Sequence, residues 1–214
     1  MNRYSHPETP YLPWSPSVAK DGIVSSVDWK NQDIVVLTEK LDGQNVSIYY
    51  DGYVHARSID DNKGVHLSAA KHIAATIMMG IRSGIRLCGE LMTYRHSVNY
   101  DTLDSHFYLH SAWISEYCLS WGETVKLSRS LGIPTVPVLF IGATNSLDIV
   151  NFNPMSSFGQ ECEGYVIRRP SGFYYNHFRY NVAKSVRKNH VQPNAEHWSK
   201  RLIENSIGRK DLHD

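Results

Sequence analysis

The stretch "TEKLDGQN", residues 38–45, places Lys40 and Asp42 between an apolar run at 34–37 and a β-branched, aromatic run from Val46. A lysine amine, with a reference pKa of about 10.4, becomes a useful nucleophile only when its charged form is disfavoured. Desolvation, a neighbouring cation or a bound metal does that. Asp42 has the chemistry to orient a hydroxyl or a metal-bound water, and Gly43 would let the backbone approach a ligand. A polar turn between strands is the plain alternative. By average composition Lys-x-Asp-Gly arises by chance in roughly one chain in twenty of this length.

Three further stretches carry matching chemistry. In "LCGELM", Glu90 closes an apolar strand; in "CEGYVIRR", Glu163 heads one. In "NVAKSVRKNH", Lys184, Arg187 and Lys188 are three cations within five residues. Taken singly, Glu90 reads better as an ordinary exposed glutamate, and the three cations as a solvated basic face.

The elements that must position these groups are mostly strands. Residues 34–41 and 45–50 are β-branched and aromatic-rich, and Asp51-Gly52 is a two-residue hairpin signal before 53–58. Residues 84–92, 104–114, 135–142, 162–169 and 172–186 read as further strands. Apolar residues Ile73, Ile77 and Ile81 lie four apart and predict an amphipathic helix over 65–83. A second helix, 120–132, ends at Gly132 with Pro134 beyond, and a short third is predicted over 194–205. Pro7, Pro10, Pro13 and Pro16 forbid a long helix at the start, so 1–33 reads as an extended arm. The predicted class is α+β, with mostly antiparallel sheets and flanking helices.

The 214 residues are 42% hydrophobic, enough for one sizeable core. With 22 basic and 21 acidic residues, bulk charge offers no argument for a nucleic-acid partner, so any basic surface must be local. Cys88, Cys118 and Cys162 are an odd, unpaired set, consistent with reduced thiols in cytosol. No apolar run approaches membrane-spanning length and the start is polar, so the expectation is a cytoplasmic protein with no membrane partner. Eleven histidines are scattered without metal-ligand spacing.

The order of the four stretches is more specific than any one of them. Lys-x-Asp-Gly, then Gly-Glu, then Glu-Gly-x-Val-Ile-Arg, then a lysine-bearing strand is the order of the covalent nucleotidyltransferases. From about 34 to 190 the chain resembles the ATP-dependent polynucleotide ligases, most closely the RNA ligase 2-like branch. "TEKLDGQN" is similar to that branch's nucleophile motif, and Arg57 in "ARS" sits where the family has an essential arginine.

That resemblance implies an ATP-dependent RNA ligase joining 3′-OH and 5′-phosphate ends through a lysine-AMP intermediate, with Mg²⁺ or Mn²⁺ as metal. It makes Lys40 the nucleophile, Glu39 a reader of the adenine edge, and Asp42 and Asn45 neighbours of the ribose and reacting phosphates. Arg57 would hold the ribose or an incoming 5′-phosphate. Glu90 would contact ribose hydroxyls or a metal-bound water, Glu163 the metal, and Lys184 the α-phosphate. The partners implied are ATP and RNA ends or a nicked duplex. The chemistry is coherent, because nucleotidyl transfer develops charge on non-bridging oxygens and needs fixed cations beside carboxylate-held metal.

The chain departs from the family pattern twice. Where a phenylalanine that stacks on adenine precedes an Asp, this chain has His110 and Ser111, with Phe107, Tyr108 and Trp113 as rival rings. Simple alternation puts Tyr108 and His110 on one face and Phe107 and Ser111 on the other; core packing is the favoured reading of Phe107. The last motif, usually Lys-x-Lys, is Lys184-Ser185-Val186, which moves the second cation to Arg187 or Lys188 or removes it. About 25 residues follow Lys188, too few for a five-stranded barrel. The expected organisation is therefore an arm at 1–33, a nucleotidyltransferase domain at 34–190 and a short helical tail at 191–214, without a C-terminal OB-fold. In that tail Lys200, Arg201, Arg209 and Lys210 read as phosphate contacts or as a plain surface helix.

A DNA ligase or a GTP-using capping guanylyltransferase shares the mechanism, but Glu39 and Asn45 favour the RNA ligase. A catalytically silent nucleic-acid-binding module is a third reading. It gives Lys40, Asp42, Glu90, Glu163 and Lys184 little reason to occur together.

Overall fold

A computed structural model describes residues 2–159, 162–188 and 202–208. Among these, ten strands form: β1 (Val35–Glu39), β2 (Gln44–Tyr49), β3 (Val54–His55), β4 (Ile85–Leu91), β5 (Phe107–Ile114), β6 (Tyr117–Cys118), β7 (Val138–Gly142), β8 (Gly164–Arg168), β9 (Phe173–Tyr174) and β10 (Val182–Val186). The α-helices are α1 (Ser68–Ile77), α2 (Trp121–Leu131) and α3 (Phe178–Asn181). The class is α+β, as the pattern predicts.

Two antiparallel sheets result. Sheet A has the order β10-β8-β1-β7, and sheet B the order β3-β2-β4-β5-β6-β9. Alternation explains the layering. On β1, Val35 and Leu37 face an outer core with Leu12, Trp29 and Ile167, while Val36 faces inward with Met92, Tyr108 and Trp121. The other face of sheet B, through Ile48, Leu87 and Leu109, packs against Ala70, Ala74 and Ile77 of α1. The gap between the two sheets is where the strand ends carrying Lys40, Glu90, Glu163 and Lys184 converge.

Local signals account for the helices. Ser120 and Glu123 form a reciprocal capping box on α2, and Gly132 ends it in the left-handed conformation at φ 66°. The helix expected over 65–83 is α-helical only at Ser68–Ile77, with 3₁₀ turns at Val65–Leu67 and Met78–Gly80. A Cβ at Gly80 would lie 2.8 Å from Leu131, so the turn there lets the ends of α1 and α2 close on each other. No helix among the described residues is long and apolar enough to cross a membrane.

Residues 2–33 form no helix, and they bury Leu12 and Trp29 completely. The Leu12 N–H donates to Lys184 O and the Lys184 N–H to Pro10 O, so this segment lines the β10 edge of sheet A. Of the helix expected over 194–205, residues 194–201 lie outside the described residues, as do Lys200, Arg201, Arg209 and Lys210. The part at 202–205 is not helical. Its N–H and C=O groups pair instead with 93–95: Asn205 N–H donates to Thr93 O, and Arg95 N–H to Ile203 O.

Candidate active site

Lys40 leaves the end of β1 held by its own N–H, which donates to Gly164 O at 2.9 Å. That contact sets Lys40 beside the head of β8, and its Nζ lies 2.5 Å from Glu163 Oε2. Gly164 is required there, because a Cβ would sit 2.0 Å from the Ser185 carbonyl oxygen of β10. Burial alone would lower the Lys40 pKa, but the carboxylates of Glu163, Glu90 and Asp42 reverse this and raise it above the ordinary lysine value. Without a further cation, Lys40 is therefore an ammonium.

The neighbouring groups shift in the complementary sense. Glu90 is pushed up to about 8, by burial first and then by Glu163 and Asp42. Lys184 is pushed down to about 8, by burial and then by Lys40 and Arg57; its Nζ lies 4.1 Å from the Tyr11 ring centroid. The Glu90 shift makes a stability prediction. A carboxyl raised from its unfolded value of 4.5 to about 8 costs nothing below pH 4.5, and its cost grows as pH rises to 8. Glu90→Gln should therefore stabilise the fold at pH 9 by roughly 1–3 kcal/mol, with the difference closing toward pH 4.5. Melting curves across that range check it, and a pH-independent difference would contradict it.

Glu39, Lys40, Asn45, Arg57, Glu90, His110 and Lys184 line one cavity of about 180 Å³ between the sheets. A wider cleft of about 810 Å³ shares Asn45, Arg57 and Glu90 with it. Glu39, 1% exposed, is clasped by Ser156 Oγ at 2.6 Å and by the Ser157 N–H at 2.8 Å.

The alternation expected on β5 holds for Tyr108 and His110, which both face the gap, but not for Phe107 and Ser111. Cys88 faces Ser111 and Gly89 faces Leu109, so His110 is an extra residue, a β-bulge. The bulge turns both His110 and Ser111 to the cavity, while Phe107, Leu109 and Ala112 share the core under α1. Tyr108 lies in the inner core with its hydroxyl donating to Asp104, and Trp113 is buried beside Phe178. Of the β5 rings, His110 is the one on the cavity. Asn45 Nδ2 donates to its Nε2 at 2.9 Å, so the proton sits on Nδ1 and is donated to Ser111 Oγ at 3.1 Å. Burial, followed by His6, Arg168, Arg86 and Lys40, holds His110 neutral.

Asp42, Glu163, Arg187 and Lys188 line neither cavity, Glu163 meeting the site through its contact with Lys40, while Gly43 lines the wider cleft. The Asp42 Oδ2 accepts the N–H groups of Ser97 and Val98, and its Oδ1 lies 4.0 Å from His96 Nδ1. Gly43 makes room for its own chain, since a Cβ there would lie 2.6 Å from Leu91 O and 2.5 Å from Met92 Sδ. Lys184 is the β10 cation that lines the smaller cavity.

The RNA ligase family model matches residues 33–186, well over half of the chain. The chain belongs to the RNA ligase family. Among solved structures, a Naegleria gruberi RNA ligase mutant with ATP and Mn matches with a TM-score of 0.52 and 18% identity, over 74% of this chain and 51% of that one. The Naegleria gruberi RNA ligase with PPi gives 0.55 and 16%, over 86% and 59%. An archaeal ATP-dependent RNA ligase gives 0.53 and 16%, over 86% and 48%. At these identities the likeness is one of fold, and the chain spans roughly half the length of the structures it matches. No curated protein matches it.

Two parts of this RNA ligase family site were given no role by the motifs. His6, Pro7 and Thr9 line the cavity from a segment that precedes the family match. Arg168 lines it from β8, 9% exposed. Arg168 had a signal: on β8 it shares the inward face of Val166, so a charge falls on a core-facing position. Thr38 Oγ1, Asn45 Oδ1 and Arg168 Nε are buried without hydrogen-bond partners. Those on Thr38 and Asn45 suit a ligand rich in donors and acceptors. Among the described residues no cluster of three or more His, Cys, Asp or Glu can hold a metal by itself. Glu163 and Glu90 fit the other mode, in which one or two carboxylates share a hard cation with substrate phosphates and water.

Proposed function

We propose that the chain is an ATP-dependent RNA ligase that joins 3′-OH and 5′-phosphate ends through AMP carried on Lys40. The observation that carries this reading is the convergence of Glu39, Lys40, Asn45, Arg57, Glu90, His110 and Lys184, drawn from both sheets, on one cavity. In the first step Lys40 Nζ, having lost its proton, attacks the α-phosphorus of ATP. A nitrogen–phosphorus bond forms, the bond to the β-phosphate oxygen breaks and pyrophosphate leaves. In the second step an RNA 5′-phosphate oxygen takes the AMP and frees the lysine. In the third a 3′-OH attacks that activated phosphorus, forms the phosphodiester and expels AMP.

Each residue has a part that its position supports. Lys184 and Arg57 bring fixed positive charge to the developing phosphate charge. Asn45 offers its open Oδ1 to a donor on the nucleotide. His110 presents a neutral ring to the base, and Glu39 offers carboxylate lone pairs to an exocyclic amine. Glu163 and Glu90 would hold a divalent ion, which supplies positive charge that favours the neutral Lys40 amine and neutralises the phosphates.

The test is incubation with α-labelled ATP or GTP, then a denaturing gel, then chase with a 5′-phosphorylated nicked duplex whose 3′-OH strand is RNA. Label on the protein from ATP, released on the chase as labelled AMP while the nick is sealed, is expected. Label taken only from GTP would overturn the adenylylation claim, and labelling without sealing would overturn the ligase claim for this chain.

A further inference from the structure

The bulge at His110 leaves its peptide group out of the β4–β5 ladder. A buried carbonyl in that position costs free energy unless a donor reaches it. The donor comes from the opposite sheet: Arg168 Nη1 of β8 lies 2.5 Å from His110 O. The guanidinium carbon sits 5.0 Å from the Trp121 ring centroid, which backs it with a π face. No carboxylate lies within 4.0 Å of Arg168 among the described residues. An inward-facing arginine with no counter-charge is not there as half of an ion pair. Its directed contact across the gap is to the backbone of the one β5 ring on the cavity.

We propose that Arg168 is a positioning residue for the nucleotide base: it ties β8 to the β5 bulge and so fixes the His110 ring against the base. The ring is then held at three points. Arg168 fixes its backbone, Asn45 its Nε2 and Ser111 its Nδ1. This rests on the reading above that His110 faces the base. Arg168 acts through His110, so its loss should weaken nucleotide binding without slowing the chemical step in proportion.

The test is a double-mutant cycle in the full chain. Arg168→Met is expected to raise KM for ATP in lysine labelling about tenfold, the size of one lost hydrogen bond. Turnover at saturation should stay within about threefold, and calorimetry with a non-hydrolysable ATP analogue should show the same weakening. In a His110→Ala background the same change should add less than about twofold, because no ring remains to be positioned. Arg168→Lys, which restores a donor, should recover part of the affinity, and it carries the cycle if Arg168→Met does not fold. Additive effects in the cycle, or an unchanged KM in folded Arg168→Met, overturn the inference while His110 keeps its role. An unchanged KM in His110→Ala overturns the reading of His110 itself, and this inference with it.

Discussion

Lys40→Ala is expected to abolish covalent nucleotide labelling, a loss on the order of 10⁴-fold or more, while the chain still folds. The cavity holds a second lysine, Lys184, but the two differ in setting. Lys40 is paired with Glu163 at the head of β8, whereas Lys184 is a rung of β10 with its ammonium over the Tyr11 ring. A nucleophile needs in-line approach to phosphorus and a route for its proton. The carboxylates around Lys40 provide the second, and none is paired with Lys184 among the described residues. Lys40→Arg separates the nucleophile from the structural cation. The guanidinium keeps the counter-charge to Glu163 but cannot deprotonate. It should therefore label no better than the Ala variant and melt closer to the parent. Ala removes a partner of a carboxylate whose side chain is 6% exposed, which is destabilising in itself. Gel retention of α-labelled AMP and thermal melting of both variants decide this. Label on either one assigns the nucleophile elsewhere.

How much of this was legible in the sequence depends on how far a residue's placement is set by its neighbours in the chain. Glu39, Lys40, Glu90 and Lys184 lie at strand ends or on strand faces, where period-2 alternation and the order of the motifs place them. His110 was the ring that the motif alignment put forward among four, although alternation alone gives no reason to prefer it. The bulge that selects it depends on β4, where a Cβ at Gly89 would lie 2.4 Å from the Phe107 ring and 2.5 Å from Tyr108 O. One extra residue reverses the faces beyond it, so a local count fails from Ser111 onward. His6 was out of reach for a related reason: its ring meets His110 edge-on at 4.9 Å, across 104 residues of chain (110 − 6). Asp42 is the opposite case. Its type suggests chemistry, yet its carboxylate fastens the backbone at 97–98 to the turn after β1. Anchoring and catalysis call for the same side chain, and only the partners tell them apart.

Glu163→Gln tests the carboxylate that faces Lys40, and two opposite outcomes separate its possible roles. Glu163 is the first of the carboxylates that hold the Lys40 pKa up, and it also accepts the Lys40 hydrogen bond. If holding the ammonium were all it did, Gln would relieve it: burial would then pull the lysine pKa down and labelling near neutral pH would rise. A carboxylate that holds a divalent ion with the phosphates predicts the reverse. The Gln variant, with a more easily deprotonated lysine, should still label more slowly, by on the order of 10²-fold, because the charge at the phosphates is lost. Its half-saturating Mn²⁺ or Mg²⁺ should rise, and the rise of its rate with pH should move to lower pH as the lysine pKa falls. Glu163→Ala, which removes the hydrogen bond as well, should lose metal-dependent labelling altogether. The pairing of opposite trends, lower pKa with lower rate, is what distinguishes a metal ligand from a mere counter-ion. A divalent-ion titration that matches the parent in both variants would take Glu163 out of the metal site.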